Sequence, residues 1–220
     1  MNGNNEQKRI RQAAEVDQFL RSEIPPLFRL HDPILFPNPT ALSVVDGLEL
    51  ECRCDKDGNE QADYRGGVML FGPTGSGKTR AAFRMLERWI RDDGWLLRFK
   101  YLSGPLLKRK LADAAKAGKA HELIEQILDS SDDVIFIDDL SQARFTASFA
   151  ENLFELIDRI HRERIPLVVT VQTTGADLIR KWCADDRALT DTAEAIARRL
   201  RDYCVKVRFP KPARPSDGEA

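Results

Sequence analysis

Residues 72–79 form a glycine-rich segment whose residue types suit the binding of a polyphosphate. The segment reads GPTGSGKT and fills every fixed position of the pattern GxxxxGK[ST]. Glycines let backbone N–H groups turn inward around phosphate oxygens, Lys78 can neutralise the outer phosphates, and Thr79 offers a hydroxyl to Mg²⁺. We therefore predict an ATP and Mg²⁺ site whose nucleotide-binding residues are Gly72, Pro73, Thr74, Gly75, Ser76, Gly77, Lys78, Thr79 and Arg80.

Two adjacent carboxylates, Asp138 and Asp139, form the second candidate for chemistry. They follow the apolar run Val134–Ile137, which suits a buried strand. A solvated strand end is the alternative, but two carboxylates after a buried run are costly unless a cation or a reaction uses them. We predict that Asp138 joins Thr79 at the Mg²⁺ ion, and that Asp139 is the general base that activates the attacking water.

Polar residues also end a later apolar run, Leu167–Val171. Gln172 and Thr173 are both candidates to sense the outer phosphate and the attacking water from this position. An ordinary polar turn is the alternative, and the pattern leaves these possibilities open.

The elements that must position these residues alternate along the chain. Apolar runs predict strands at Val68–Phe71, Trp95–Leu102, Val134–Ile137, Leu167–Val171 and Cys204–Phe209. Apolar residues at helical spacing predict helices from Arg80, over 105–128 with a break near Gly118, over 149–160 and over 190–200. In the last of these, Asp191 and Glu194 have the spacing of a capping box. Alternating strands and helices predict an α/β fold with a parallel sheet of five strands.

We divide the chain into an N-terminal helical arm at 1–23, one domain at 24–212 and a disordered tail at 213–220. The arm is either a solvated extension or a docking element for a partner. Five prolines in 24–40 exclude a regular element there and predict a segment packed on the core through Leu27, Phe28, Leu35 and Phe36. Alternating residues predict an inserted hairpin at 48–66, whose turn lacks the ligand positions of a calcium loop.

Composition limits the class of protein and the partners that the sequence indicates. The 34 basic and 35 acidic residues nearly balance, so net charge indicates no partner, and no apolar run approaches membrane-spanning length, which predicts a cytoplasmic protein. The four cysteines fit reduced thiols, with zinc binding at Cys52 and Cys54 as the alternative.

The chain resembles the AAA+ ATPases of the DnaC/IstB group in five stretches: IPPLFR, VMLFGPTGSGKT, VIFIDDL, LFELIDRIHRERIPLVVT and ARRLRDYCVKVRF. The resemblance implies a three-layer P-loop NTPase of the AAA+/ASCE class, with a helical lid absent or vestigial after the fifth strand. The chain departs from the group at two places. Gln172 stands where the group commonly has an asparagine, and Ile160-His161 stands where it commonly has an Arg-Tyr pair.

This resemblance implies a slow ATPase, stimulated by a partner or by DNA, that loads a hexameric replicative helicase onto single-stranded DNA. The alternatives are an IstB-like transposition helper and a nucleotide-gated adaptor with negligible hydrolysis. It also implies ATP-dependent self-association and a catalytic arginine supplied to a neighbouring subunit, for which we choose Arg199. The competing interpretation of Arg199 is a surface ion pair with Asp202 or Glu194.

A basic cluster surrounds the second predicted strand and the helix after it. In this group of ATPases the region faces single-stranded DNA, and its basic side chains could neutralise phosphates without reading the sequence. An ordinary solvated helix face is an equal alternative. The cluster comprises Arg98, Lys100, Lys108, Arg109, Lys110, Lys116 and Lys119.

Overall fold

The computed structural model describes residues 14–28, 39–48, 52–54, 60–62, 66–92, 98–128 and 134–211. The strands are β1 (Cys52–Cys54), β2 (Glu60–Ala62), β3 (Gly67–Phe71), β4 (Phe99–Ser103), β5 (Val134–Asp138), β6 (Leu167–Val171) and β7 (Cys204–Arg208). The helices are α1 (described over 14–23), α2 (Pro39–Asp46), α3 (Lys78–Asp92), α4 (Gly104–Lys116), α5 (Ala120–Leu128), α6 (Ala147–Glu163), α7 (Ala176–Trp182) and α8 (Thr190–Tyr203).

The central sheet has the order β4-β5-β6-β3-β7, and all its strands run parallel. The predicted five-stranded parallel sheet is therefore confirmed. Its strands β3, β5 and β6 are apolar and almost wholly buried because helices cover both faces. The carboxyl ends of β3, β5 and β6 are neighbours, so the phosphate segment, the acidic pair and Gln172 follow adjacent strands at one edge of the sheet.

Alternation along the strands divides the core into two layers. Val68 and Leu70 of β3 pack with α1, α2 and α3, whereas Met69 packs on the opposite face with the layer of α4 to α8. The predicted amphipathic face of α6 is buried, and Gly118 (φ +69°) lies between α4 and α5, where the predicted break falls.

Two predictions about the proline-rich segment are wrong. Pro26–Phe28 forms a 3₁₀ turn and Pro39 starts helix α2, because a proline at the first helical position lacks only an N–H group that would have no helical partner. Leu27 is 71% exposed, although Phe28 stacks on Phe83 as predicted for a core contact. Leu35 and Phe36 lie outside the described residues.

The predicted capping box of α8 is also wrong. Leu189 precedes the helix without a side-chain cap, and Asp191 lies inside the first turn. Asp186 instead accepts a hydrogen bond from the backbone N–H of Ala188 at 2.9 Å and caps the 3₁₀ turn that leads into α8. The chain enters the helix through that turn, so it needs no cap at Asp191.

The first described helix, α1, packs on the core layer that contains α2 and α3. Val16 and Leu20 are buried there, and Phe19 meets the ring of Phe99 edge-on at 6.3 Å. Strands β1 and β2 pair antiparallel inside the predicted hairpin. Of the helices that the structure describes, none is long and apolar enough to cross a bilayer.

Candidate functional site

The phosphate segment links the end of β3 to the first turn of α3, so its backbone N–H groups and the positive helix end face one point. Gly72, Gly75 and Gly77 have φ of +152°, +78° and +94°. At Gly72 a Cβ atom would clash with the carbonyl oxygen of Phe209, so the approach of the residue after β7, as well as the loop conformation, requires glycine. Of the other predicted nucleotide-binding residues, Ser76 is buried and Arg80 is half-buried in the first turn of α3.

Lys78 is buried within this loop. Its Nζ donates to the carbonyl oxygens of Gly72 (2.8 Å) and Pro73 (2.9 Å), so the ammonium is held at the centre of the cradle. Burial lowers the pKa of Lys78, and the charges of Asp139 and Asp138 oppose that shift. The structure thus places the lysine and the acidic pair within electrostatic reach of one another.

Asp138 is held by three hydroxyl groups. Its Oδ1 accepts from Thr79 Oγ1 (2.8 Å) and Thr170 Oγ1 (2.6 Å), and its Oδ2 accepts from Tyr101 Oη (3.4 Å). Burial, together with the charge of Asp138, raises the pKa of Tyr101 to about 12. The hydroxyl of Thr79 and the carboxylate of Asp138, predicted to share a Mg²⁺ ion, are therefore in direct contact.

Asp139 has left-handed backbone angles, φ +51° and ψ +47°. Its backbone N–H donates to Thr170 Oγ1 (2.7 Å), and its Oδ1 accepts a long bond from Ser141 Oγ (3.4 Å). A Cβ atom at Gly104 would lie 2.7 Å from the Asp139 carbonyl oxygen, so α4 begins directly against this turn. Such strained conformations persist where the surroundings impose them, often at reactive sites.

Burial raises the pKa of Asp139, and the adjacent charge of Asp138 adds to the shift. Lys78 and the Ser141 hydroxyl act in the opposite direction. A carboxylate with a raised pKa is a stronger base than an ordinary aspartate, which suits proton abstraction from water.

Gln172 and Thr173, the two candidates for the phosphate-sensing residue at the end of β6, have different surroundings in the structure. Gln172 Nε2 donates to Thr74 Oγ1 of the phosphate segment (3.1 Å), and the Gln172 backbone N–H donates to Ser141 Oγ (2.9 Å). Thr173 Oγ1 is buried and has no hydrogen-bond partner among the residues that the structure describes. Gln172 is therefore the residue that touches the phosphate segment.

Arg199 lies on α8 and is anchored on α6. Its Nε and Nη2 atoms are both 2.7 Å from Asp158 Oδ1, and its guanidinium lies 4.3 Å from the ring centre of Phe154. Within the chain, Arg199 therefore forms its ion pair with Asp158. The surface ion pair considered from the sequence had named Asp202 or Glu194 as the partner. Among the described residues, Arg199 contacts only α6 and its own helix, so the structure does not bring it to the phosphate segment.

Sequence reasoning missed several residues that organise the site. Thr170 is a polar residue inside the apolar run of β6, and this exception was a usable signal. Ser141 lies two residues after Asp139, whereas Tyr101 and Lys181 come from distant segments and carried no signal. Lys181 Nζ donates to Gln172 Oε1 at 2.7 Å.

A parallel sheet, a phosphate loop between β3 and α3, and an acidic pair at the end of β5 define a P-loop NTPase. Strand β6 separates β3 from β5, the additional-strand arrangement of the AAA+/ASCE class. The chain belongs to the IstB-like ATP binding protein family, whose sequence profile matches residues 60–211, more than half of the chain. Curated proteins gave no match to this sequence.

Solved structures of the same architecture include replication proteins. The DnaC helicase loader is 16% identical, with a TM-score of 0.53 over 78% of this chain and 86% of that chain. DnaI is 15% identical, with a TM-score of 0.55 over 91% and 84%. Domain III of the Thermotoga maritima replication initiation protein DnaA is 17% identical, with a TM-score of 0.53 over 79% of this chain and 60% of that chain. These likenesses, with the family match, confirm the predicted resemblance to DnaC/IstB-type AAA+ ATPases.

Proposed function

We propose that the protein binds ATP with Mg²⁺ and hydrolyses it to ADP and phosphate. The loop N–H groups and Lys78 would hold the phosphates, and Thr79 with Asp138 would hold the metal. The donor set fits that ion, because Mg²⁺ prefers hydroxyl, carboxylate and water oxygens, and Thr79 Oγ1 already lies 2.8 Å from Asp138 Oδ1. When bound, Mg²⁺ would neutralise charge on the phosphate oxygens.

Asp139 is the proposed general base of this reaction. The oxygen of a water molecule forms a bond to the γ-phosphorus while the bond from that phosphorus to the bridging oxygen of ADP breaks. Asp139 accepts the proton that the water loses, and Gln172 touches the phosphate segment from the neighbouring strand. The pKa of Asp139, raised by burial and by Asp138, supports this role.

Thr170 positions both carboxylates, which gives a direct test of the site. Thr170→Val keeps the shape but removes the hydroxyl that donates to Asp138 and accepts from the Asp139 N–H. We expect turnover to fall at least about tenfold, and the free energy of unfolding to fall by about 1–3 kcal/mol because buried polar groups lose their partner. Thr170→Ser, which keeps the hydroxyl, should retain most of the turnover and most of the stability. Wild-type turnover in the valine variant would contradict this role.

We further propose that this ATPase is a DnaC-like loader of a hexameric replicative helicase onto single-stranded DNA. The observation that carries the link to DNA is a groove of about 440 Å³ between α4 and the segment after Asp139. It is lined by four basic side chains and one acidic residue, Asp113; the basic residues are Lys108, Arg109, Lys116 and Arg144. A nucleic-acid backbone in this groove would touch the segment that continues from the proposed base.

The structure divides the predicted basic cluster. Lys108 and Arg109 line the groove, whereas Lys110 and Lys119 are exposed and do not line it. Lys100 is bound to the carbonyl oxygen of Gln126 at 2.8 Å. The groove therefore adds Arg144, which the sequence pattern did not indicate.

This division supplies a matched experiment on single-stranded DNA. Replacing Lys108 and Arg109 by alanine should weaken binding and reduce the slope of log affinity against log salt by roughly 1.4, about 0.7 for each lost phosphate contact. The double variant Lys110→Ala/Lys119→Ala removes the same charge from the same helical hairpin and should change the slope little. Equal slopes in the two double variants would return the cluster to the solvated-face interpretation.

An IstB-like transposition helper is the second candidate, and the match to the IstB-like family favours it. Pull-down of the source organism's replicative helicase and of its transposases, each with the nucleotide-bound chain, decides between the two. Capture of the helicase alone supports the loader, and capture of a transposase alone overturns it. A turnover assay with and without single-stranded DNA tests the ATPase itself, since a nucleotide-gated adaptor would show negligible hydrolysis in both.

The N-terminal arm, residues 1–23, is our proposed contact for the helicase. In helix α1 the apolar residues Val16 and Leu20 are committed to the core, so a partner would meet its outer face, which includes Glu15 and Gln18. Substituting that outer face should weaken capture without changing the stability of the chain.

A further inference from the structure

A chain of three side chains connects α7 to the phosphate segment. Lys181 Nζ donates to Gln172 Oε1 (2.7 Å), and Gln172 Nε2 donates to Thr74 Oγ1 (3.1 Å). Three separate elements meet here: α7, the end of β6 and the loop after β3. Lys181 is exposed and belongs to none of the motifs that define the site.

The chemistry of Lys181 determines which way the Gln172 amide points. An ammonium group carries only donors, so the carbonyl oxygen of the amide must face it. The NH₂ group then faces the phosphate segment. Thr74 alone would not fix this orientation, because a hydroxyl can donate to the amide oxygen as well as accept from the amide nitrogen.

Orientation of this amide decides whether it attracts or repels a terminal phosphate. Phosphate oxygens are acceptors, so an NH₂ group beside them is attractive and a carbonyl oxygen is repulsive. A group that contacts only the third phosphate contributes to ATP affinity and leaves ADP affinity unaffected.

Helix α7, which carries Lys181, is anchored to the core. The adjacent residue Trp182 is buried and stacks on Phe145, with ring centres 4.8 Å apart and planes 5° apart, and Leu178 is also buried. The short helix is thereby fixed to the core on one side while Lys181 projects toward Gln172. A rigid support of this kind is what a positioning residue needs.

We propose that Lys181 is a positioning residue that holds the NH₂ group of Gln172 toward the γ-phosphate and so makes the site distinguish ATP from ADP. This inference rests on the proposed function, because it requires that ATP binds at this phosphate segment. It assigns a role to a residue outside the phosphate loop and the acidic pair.

The test compares affinities for β,γ-methylene-ATP and ADP in Lys181→Met, which removes the donors and keeps the length. We expect the affinity for the triphosphate to fall about tenfold and the affinity for ADP to stay unchanged, with Lys181→Arg retaining most of the preference. Arg180→Met is the matched control, because it removes a charge from the same helix at a residue that pairs with Asp177. That control should leave both affinities unchanged.

A double-mutant cycle separates positioning from direct contact with phosphate. In a Gln172→Ala background, Lys181→Met should have no further effect on triphosphate affinity, because the group that Lys181 orients is gone. A full tenfold loss in that background, or equal losses for the triphosphate and ADP, would overturn the inference while leaving the proposed function intact. A wild-type chain that binds neither nucleotide would refute the proposed function itself, and this inference with it.

Discussion

Asp139→Asn should bind ATP with nearly wild-type affinity and lose turnover by about 10²–10⁴-fold, the usual contribution of a general base. Asparagine keeps the shape of the side chain but cannot take a proton from water. The backbone of Asp139 is held by Thr170 and lies against Gly104, so the turn should keep its conformation in the variant. The measurements are nucleotide affinity by titration and phosphate release under single-turnover conditions.

Lys78→Ala is the matched control for this prediction. It removes the buried cation that Gly72 and Pro73 hold within the loop, so ATP affinity itself should fall sharply. The two variants therefore separate binding from chemistry. Hydrolysis at the wild-type rate in Asp139→Asn would show that another group takes the proton.

Arg199→Ala should bind ATP normally and lose turnover on the order of 10³-fold, as removal of an arginine finger does. Charge that develops on the transferred phosphoryl group calls for a second cation, and we propose that a neighbouring subunit supplies Arg199. Within the chain its guanidinium is held by Asp158 and Phe154. Arg198→Ala removes the adjacent, exposed arginine and should keep turnover.

Mixing Arg199→Ala protein with Lys78→Ala protein tests whether the arginine acts in trans. A wild-type phosphate site from the first protein can then meet a wild-type Arg199 from the second, so part of the activity should return. Ile157 of α6 and Ile196 and Leu200 of α8 are buried in one apolar cluster, so loss of Arg199 should not unfold the α6–α8 contact. A mixture that self-associates and stays inactive would refute the assignment to Arg199.

The sequence by itself determined the class of the fold and predicted which segments would form the centre of the site. Local patterns carried this information, because the residues of the phosphate segment are contiguous and Asp138 and Asp139 directly follow an apolar strand. Leu200 and Ile196 are both buried, as helical spacing requires for residues four apart. Roles for Lys78, Asp139, Gln172 and Arg199 stay predictions until the variants above are measured.

Predictions from local sequence patterns were wrong where the surrounding structure determines how a helix begins. Pro39 starts a helix in a segment whose prolines predicted no regular element, and Asp191 has the spacing of a cap that the chain does not use. Each of these depends on the geometry by which the chain enters the helix, which residue types alone do not specify.

Only the tertiary structure decided which distant side chains complete the site. Thr170 lies 32 residues after Asp138, and Lys181 lies on a helix beyond the strand that carries Gln172. These residues meet because parallel strands bring their carboxyl ends to one edge of the sheet, while the helices between them set the lateral positions. Gly72 shows the same dependence, because the carbonyl of Phe209, far along the chain, forbids any side chain there.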